Sequence, residues 1–250
     1  MKYCKFHLVL LFVGILNCVS GQDYPRHDYF RFALQWPNSY CLTSLRPCRR
    51  QVPQYFTVAG LWPQLINDTE PVNCLTTKQV TNLTFARFKV DLLKYWPDLS
   101  TYNFEDSKQL WKDQWEIHGS CASDTIPPEF YFFKAFYLRQ SLNLYDILGS
   151  SDIRADGSSY AAEEIEQAIY KATRYVVDIV CKKDKLGNVY LSEIHLCVDN
   201  EAKEIIDCQD LLRNCGDEPA IFPDQKFIPK NKKPYPQPPT GPRCPGFPPS

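Results

Sequence analysis

Two short segments rich in tryptophan contain the residues of this 250-residue chain that are best suited to chemistry. The first is Phe56–Gln64 (FTVAGLWPQ), and the second is Trp111–Cys121 (WKDQWEIHGSC). His118 lies in the second segment, and an imidazole can accept or donate a proton near neutral pH. The same segment holds Asp113 and Gln114, a carboxylate and a neutral hydrogen-bonding group. This composition predicts a site for acid–base chemistry centred on one histidine.

Both segments resemble the active-site segments of the ribonuclease T2 family, which read FTIHGLWP and WxHEWxKHGTC. The resemblance is to the plant S-like branch of this family, and it extends over about residues 28–223. It includes further anchors in the same order, which are Leu34–Cys41 (LQWPNSYC), Tyr95–Pro97 (YWP) and Glu193–Asp199 (EIHLCVD). The resemblance implies an α+β, ribonuclease T2-like fold, in which helices pack on a central antiparallel sheet cross-linked by disulfides.

The resemblance also implies a reaction on single-stranded RNA that needs no metal and no cofactor. The RNA 2′-hydroxyl attacks its own phosphodiester, which gives a 2′,3′-cyclic phosphate and frees a 5′-hydroxyl. One histidine takes the proton of the 2′-hydroxyl, and a second histidine protonates the leaving oxygen. A lysine and a glutamate stabilise the charge that develops on the phosphorane-like transition state.

This chain departs from the family pattern at four charged positions. Ala59 stands where the first segment has histidine, and Asp113 and Gln114 stand where the second has His-Glu. Ile117 replaces the lysine, so His118 alone is retained from the charged set. Loss of one acid–base partner typically lowers a rate by about 10²–10⁴-fold. We therefore expect a catalytically impaired homologue, and the alternative is an active endoribonuclease that cleaves single-stranded RNA through His118.

The remaining candidate residues concern a second proton-transfer group and the binding of bases. An active enzyme would keep His118 and recruit His195 or His27 as the missing group, or would use a substrate hydroxyl and water instead. We expect His195, which shares a strand face with Glu193, to be a structural or exposed strand residue, and His27 to be solvated. By resemblance, Trp62 would stack on a base and Gln35 would read a base edge. Simple core packing is the alternative for Trp62.

Periodicity predicts the elements that must position these residues. Strands are expected at Tyr29–Trp36, Tyr55–Gly60, Val189–Val198, Ile205–Cys208 and Ala220–Phe222. Helices are expected at Thr77–Trp96, Glu129–Leu148 and Ala161–Arg174. Strands and helices mix without a regular βαβ repeat, which favours an α+β domain with an antiparallel sheet.

The two ends are predicted to lie outside this domain, which is assigned to residues 22–225. Residues 1–21 contain two lysines, an apolar run and then small residues, as a secretory signal peptide does. Residues 226–250 contain nine prolines, five cations and no acid, which predicts a disordered basic tail. The domain between them has a formal charge of −8, which opposes strong binding of phosphate polyanions.

Export and a degenerate site together suggest the biological setting. We expect a monomer that is secreted, or delivered to a vacuole through the secretory pathway, and that has no membrane-spanning segment. Storage or defence would suit an impaired homologue, because storage requires only stability and abundance. A third possibility is an RNA- or glycan-binding module that uses the old cleft or the tail. The tail is expected either to bind a polyanion or to be a solvated extension.

The cysteines and two sequons agree with export. Eight cysteines lie in the predicted domain, and in an exported protein they predict four disulfides whose pairing does not follow from spacing. The resemblance implies the pairs Cys41–Cys48, Cys74–Cys121, Cys181–Cys215 and Cys197–Cys208, with Cys244 left over in the tail. The sequence contains no CxxC pair, so it does not indicate a zinc site of that kind. Asn67 and Asn82 begin sequons for N-glycosylation.

Overall fold

A seven-stranded sheet forms the centre of the computed structural model, which describes residues 27–67, 69–209 and 211–224 together with Lys226. The strands are β1 (Tyr29–Gln35), β2 (Thr57–Gln64), β3 (Ser159–Tyr160), β4 (Asp178–Lys183), β5 (Val189–Val198), β6 (Ile205–Ile206) and β7 (Ala220–Ile221). Their order is β2-β1-β5-β7-β3, and β4 and β6 also pair with β5. The described pairs are antiparallel except β5 with β7. The predicted signal peptide, the tail beyond Lys226 and Cys244 lie outside the described residues.

Seven helices surround the sheet in the described part of the chain. They are α1 (Pro37–Thr43), α2 (Asn82–Arg87), α3 (Lys89–Tyr95), α4 (Phe104–Ile117), α5 (Pro128–Ser141), α6 (Leu144–Gly149) and α7 (Ala162–Thr173), and a 3₁₀ turn at Gly119–Ala122 follows α4. No helix among the described residues is long and apolar enough to cross a membrane. The α+β architecture with a largely antiparallel sheet is the one that the resemblance implies.

Local breaks correct the predicted helices. The single helix expected at Thr77–Trp96 is wrong, because α2 begins only after Thr81, whose hydroxyl caps the amide of Thr84 at 3.2 Å. A non-helical Phe88 then separates α2 from α3. The single helix expected at Glu129–Leu148 is also wrong, since an extended Leu142 separates α5 from α6. The sequence patterns did not predict α1, α4, β3 or β4.

Alternate residues of β1 divide the sheet into two faces. Phe30, Phe32 and Leu34 lie in the hydrophobic core together with inward-facing aromatic residues of α4 and α5. Arg31 and Gln35 lie on the opposite face with the small residue between them, and we call this side the cleft face. It continues onto β2 and β5, which flank β1.

A β-bulge in β2 decides which residues reach the cleft face. Val58 and Leu61 both lie in the core although they are three residues apart. The register between β1 and β2 shifts between these two positions and leaves Ala59 as an extra residue in the ladder. Ala59 and Gly60 therefore both lie on the cleft face. The observed strand begins two residues later than predicted and continues to Gln64.

Four disulfides cross-link the domain, in the pairs that the resemblance implies. They are Cys41–Cys48, Cys74–Cys121, Cys181–Cys215 and Cys197–Cys208. The Cys74–Cys121 bridge ties the loop after β2 to the turn after α4, so it holds together both segments that carry candidate site residues. The sequon residues Asn67 and Asn82 are exposed. Their glycosylation stays a prediction.

Candidate active-site cleft

Helix α4 presents the second tryptophan-rich segment to the cleft. It begins after Asn103, whose side chain accepts a hydrogen bond from the Glu105 amide at 2.9 Å. Trp111 and Trp115, one turn apart, are fully buried against the core. Gln114 and His118 are also one turn apart, so they share the neighbouring stripe of the helix. This stripe faces Trp62 of β2.

Trp62 lies at the centre of the cleft. Its indole Nε1 donates a hydrogen bond to Gln114 Oε1 at 3.2 Å. Its ring centroid lies 5.8 Å from that of His118 and 5.6 Å from that of His195, in the second case with the rings nearly perpendicular. A Cβ atom at Gly60 would approach the indole Nε1 to 1.9 Å, so the ring lies directly over this glycine. Trp62 thus contacts the helix and the sheet at once, and it is partly exposed.

His118 has a carboxylate neighbour that the sequence patterns did not reveal. Its Nδ1 lies 2.5 Å from Oε1 of Glu70, a residue of the loop between β2 and α2. The Asn73 amide in the same loop donates to the Ile117 carbonyl at 2.7 Å. The only sequence signal for this contact was the implied Cys74–Cys121 bridge, which brings the loop to the end of α4. A carboxylate at Nδ1 can orient the imidazole and leave Nε2 for a ligand.

His195 belongs to a separate network of charges beneath Trp62. Its Nε2 lies 2.8 Å from Oε2 of Glu193, and the ammonium group of Lys182 donates to the other oxygen of this carboxylate. Burial alone would raise the pKa of Glu193, but the hydrogen bond from His195 and the charge of Lys182 prevail and lower that pKa to about 2. His195 is only 3% exposed, so of the two possibilities expected for it, a structural or an exposed strand residue, it is the structural one.

His27 is buried, which corrects the expectation that it is solvated. Its Nε2 lies 2.9 Å from the carbonyl oxygen of Asn200, and its ring centroid lies 4.5 Å from that of Phe30. Burial lowers the pKa of His27, which favours the neutral imidazole. The polar residues around His27 in the sequence suggested an exposed side chain. Contacts with segments distant in the chain exclude solvent from it instead.

The substituted positions surround the same cleft. Ala59 presents a methyl group on the cleft face, beside Gly60. Asp113 Oδ1 accepts a hydrogen bond from Gln109 at 2.6 Å, and the Ile117 side chain is 38% exposed. Among the described residues, no group of three or more His, Cys, Asp or Glu side chains is placed to hold a metal ion.

Gln35 lies apart from this cluster. In the register of the sheet Trp62 is opposite Arg31, four residues before Gln35 on β1. The Gln35 side chain donates a long hydrogen bond of 3.4 Å to the carbonyl of Val58. The roles of Trp62 and Gln35 in binding bases stay predictions.

Comparison with known proteins gives matches over most of the chain. The model of the ribonuclease T2 family matches residues 27–208. The chain is 30% identical over 208 residues to ribonuclease 1 of Arabidopsis thaliana, covering 82% of this chain and 89% of that protein. It is 32% identical over 208 residues to extracellular ribonuclease LE of Solanum lycopersicum, covering 81% and 90%. The crystal structure of RNase NT in complex with 5′-AMP matches with a TM-score of 0.70 at 30% identity, covering 79% of this chain and 98% of that chain.

Proposed function

The chain belongs to the ribonuclease T2 family, and we propose that it is a member whose cleavage of RNA is impaired because the cleft has lost one of two proton-transfer groups. The observation that carries this proposal is the environment of the histidines. Three histidines lie in the described residues, and His118 is the one that combines partial exposure with a position in the cleft. Ala59, on the cleft face, has no proton to give or take.

Neither of the other two described histidines is available as a substitute. His195 lies beneath Trp62 and its Nε2 is occupied by the Glu193 carboxylate. His27 is buried and its Nε2 contacts the carbonyl of Asn200. A group that abstracts or delivers a proton must reach the reacting oxygen directly or through one water, and burial works against this in both cases.

The charges that would stabilise the transition state are also diminished. Ile117 stands at the position of the family lysine. Gln114 is neutral, and its side-chain oxygen accepts a hydrogen bond from Trp62. Asp113 adds a negative charge on the helix that would face the phosphate. These losses are not additive in free energy, but each one opposes phosphoryl transfer.

The setting that we propose is the secretory pathway, with the protein secreted or stored in a vacuole. Disulfides form and persist in oxidising compartments, and four of them in a domain of this size support export. A role in storage or defence needs a stable fold rather than a complete site. Single-stranded RNA is a partner only if the altered cleft still binds it.

The decisive experiment measures cleavage of single-stranded RNA by the purified chain from about pH 4 to 8, a range that spans the titration of histidine. We expect no 2′,3′-cyclic phosphate product from the natural sequence. The variant Ala59→His combined with Gln114→Glu and Ile117→Lys should release this product at least about 10²-fold above the detection limit, since it restores the second proton-transfer group. Adding His118→Ala to that variant should abolish the gain. Robust cleavage by the natural sequence that disappears in His118→Ala would overturn the proposal.

One observation favours an alternative, which is a residual endoribonuclease that uses His118. The Glu70 carboxylate beside its Nδ1 would hold the imidazole with Nε2 directed away, as a proton-transfer group requires. In that case Glu70→Gln should reduce cleavage together with His118→Ala. An inactive natural sequence excludes this alternative.

A further inference from the structure

A β-bulge in β5, like the one in β2, decides which of its residues reach the cleft face. Leu191 and Ile194 both lie in the core although they are three residues apart. The register between β4 and β5 shifts between these two positions and leaves Ser192 as an extra residue in that ladder. Glu193 therefore lies on the cleft face, although simple alternation from Leu191 would direct it into the core.

The Glu193 carboxylate is held from two sides. Its Oε2 lies 2.8 Å from His195 Nε2, and its Oε1 accepts a hydrogen bond from the ammonium group of Lys182 on β4. The side chains of His195 and Glu193 are 4% and 9% exposed, whereas that of Lys182 is 46% exposed. The contacts thus run from the surface to the buried floor of the cleft. A carboxylate that is held at both oxygens fixes the direction of the imidazole.

The imidazole of His195 in turn supports the ring of Trp62. On the cleft face, Ala33 is opposite Gly60 on one side and His195 on the other. The indole lies over Gly60, and its centroid is 5.6 Å from that of His195, with the two ring planes at 87°. An edge-to-face contact of this kind depends on the orientation of both rings. A rotation of the imidazole would therefore displace the indole.

We propose that Lys182 is a positioning residue for Trp62. It acts through the Glu193 carboxylate and the His195 imidazole. Lys182 lies outside both tryptophan-rich segments, and the hydrogen bond from Trp62 to Gln114 extends the connection to helix α4 on the other side of the cleft. The inference goes beyond the proposed function, because these contacts position the ring whether or not the cleft cleaves RNA.

The charges along these contacts favour positioning over a direct attraction of phosphate. Because the pKa of Glu193 is lowered to about 2, its carboxylate is ionised at neutral pH and balances the charge of the Lys182 ammonium group. Asp113 adds a negative charge on α4, and Glu70 adds one beside His118. A phosphate that approached Lys182 would have to displace the buried carboxylate from it, and a buried carboxylate without its partner is costly.

Solvent exchange of the indole N–H groups, measured by NMR in the full chain, gives a selective test. The Trp62 Nε1–H donates to Gln114 at 3.2 Å, so its exchange rate rises with the fraction of time that the ring leaves this position. Trp62→Phe identifies the resonance. The indole N–H groups of three buried tryptophans donate to backbone carbonyls and report on the fold as a whole. They are those of Trp36, Trp111 and Trp115.

Two neighbouring lysines of β4 supply the test variant and its matched control. Lys182→Gln removes the ammonium group that holds Glu193, and Lys183→Gln removes one that lies 3.7 Å from Glu218. Lys182→Gln should raise the exchange rate of the Trp62 N–H by about 1.5- to 5-fold, the range expected for a partly exposed ion pair. The three buried tryptophans should not change. Lys183→Gln should leave all four rates as they are, and Lys182→Arg should preserve the natural rate of Trp62.

A double-mutant cycle tests whether Lys182 acts through His195. His195→Phe keeps an aromatic ring and removes the contact with Glu193. Adding Lys182→Gln to His195→Phe should then cause no further rise in the exchange rate of the Trp62 N–H. If His195→Phe does not fold, the three lysine variants still decide.

Three results would overturn the proposal. They are an unchanged exchange rate of the Trp62 N–H in Lys182→Gln, additive effects in the cycle, and a rise that appears equally at the three buried tryptophans. None of these results depends on RNA cleavage, so they leave the proposed function untouched.

Discussion

The two faces of the central sheet differ in their residue types: one face is packed with large apolar side chains, and the other departs from the family pattern at charged positions. On the core face, Phe30, Phe32 and Leu34 share one hydrophobic core with Trp111 and Trp115, and all five are at most 1% exposed. On the cleft face and the helix stripe above it, alanine, glutamine and isoleucine stand where the family pattern has histidine, glutamate and lysine. Packing and chemistry therefore vary independently, because the core needs shape and apolar surface while the site needs charge.

Physical chemistry explains why the fold tolerates this difference. Large aromatic side chains in the core supply burial that no neighbour can replace, so their loss leaves a cavity. Charged groups in a cleft must be partly desolvated, and active sites are commonly placed at a cost in stability. Their replacement by neutral residues leaves the fold intact.

The largest expected effect tests the core side of the comparison. Trp111 is fully buried, and its Nε1 donates to the Trp96 carbonyl at 2.8 Å. Trp111→Ala should lower the free energy of unfolding by about 3–5 kcal/mol, because it creates a cavity and leaves a buried carbonyl unpaired. Urea unfolding measures the change. A loss no larger than that of a cleft substitution would contradict the distinction between the faces.

The next effect concerns the charges that remain on the cleft face. Because the pKa of Glu193 is lowered to about 2 in the folded chain, its ionised form stabilises the fold above the unfolded value near 4.3. This stabilisation, roughly 3 kcal/mol, is lost as the pH falls from about 4.5 to 2. Glu193→Gln should therefore unfold more easily at pH 7, and the difference from the natural sequence should shrink in acid. The free energy of unfolding, measured across this pH range, tests this prediction. Glu116→Gln, which removes an exposed carboxylate, is the matched control.

A smaller effect tests the position of Trp62. Gly60→Ala places a Cβ atom on the indole, so the ring must shift at a cost of about 1–3 kcal/mol. Acrylamide quenching of Trp62 should change at the same time. Gly149→Ala is the control, since a Cβ there meets no atom within 4 Å. Unchanged stability and unchanged quenching in Gly60→Ala would mean that the ring does not lie over the glycine.

The smallest change in stability is expected for a substitution at the edge of the cleft. Ile117→Lys changes a partly exposed residue, so the free energy of unfolding should change by less than about 0.5 kcal/mol. Binding of single-stranded RNA should nevertheless become more salt-dependent, with a slope steeper by about 0.7 for one added phosphate contact. Fluorescence anisotropy of a labelled oligonucleotide at several salt concentrations measures this slope. An unchanged slope would indicate that position 117 does not face the phosphate.

Local patterns were sufficient where an element is defined by its own residues. The strand Val189–Val198 was predicted with its observed bounds, and the helix Ala161–Arg174 to within one residue at each end. Alternation along β5 did not predict that both faces of this strand are buried, since its second face is covered by Trp62 and by the disulfide of its own Cys197 with Cys208. The two long helices were broken at Phe88 and Leu142, where tertiary packing overrides periodicity.

The residue types at the motif positions can be read from the sequence alone, because they do not depend on coordinates. Ala59 cannot transfer a proton in any fold. The groups that surround His118 are known only from the fold, since Glu70 lies 48 positions away in the chain. The fold also shows that His27 and His195 are buried. The physical reason is that burial, bulges and charge pairs arise from contacts between segments that no local pattern encodes.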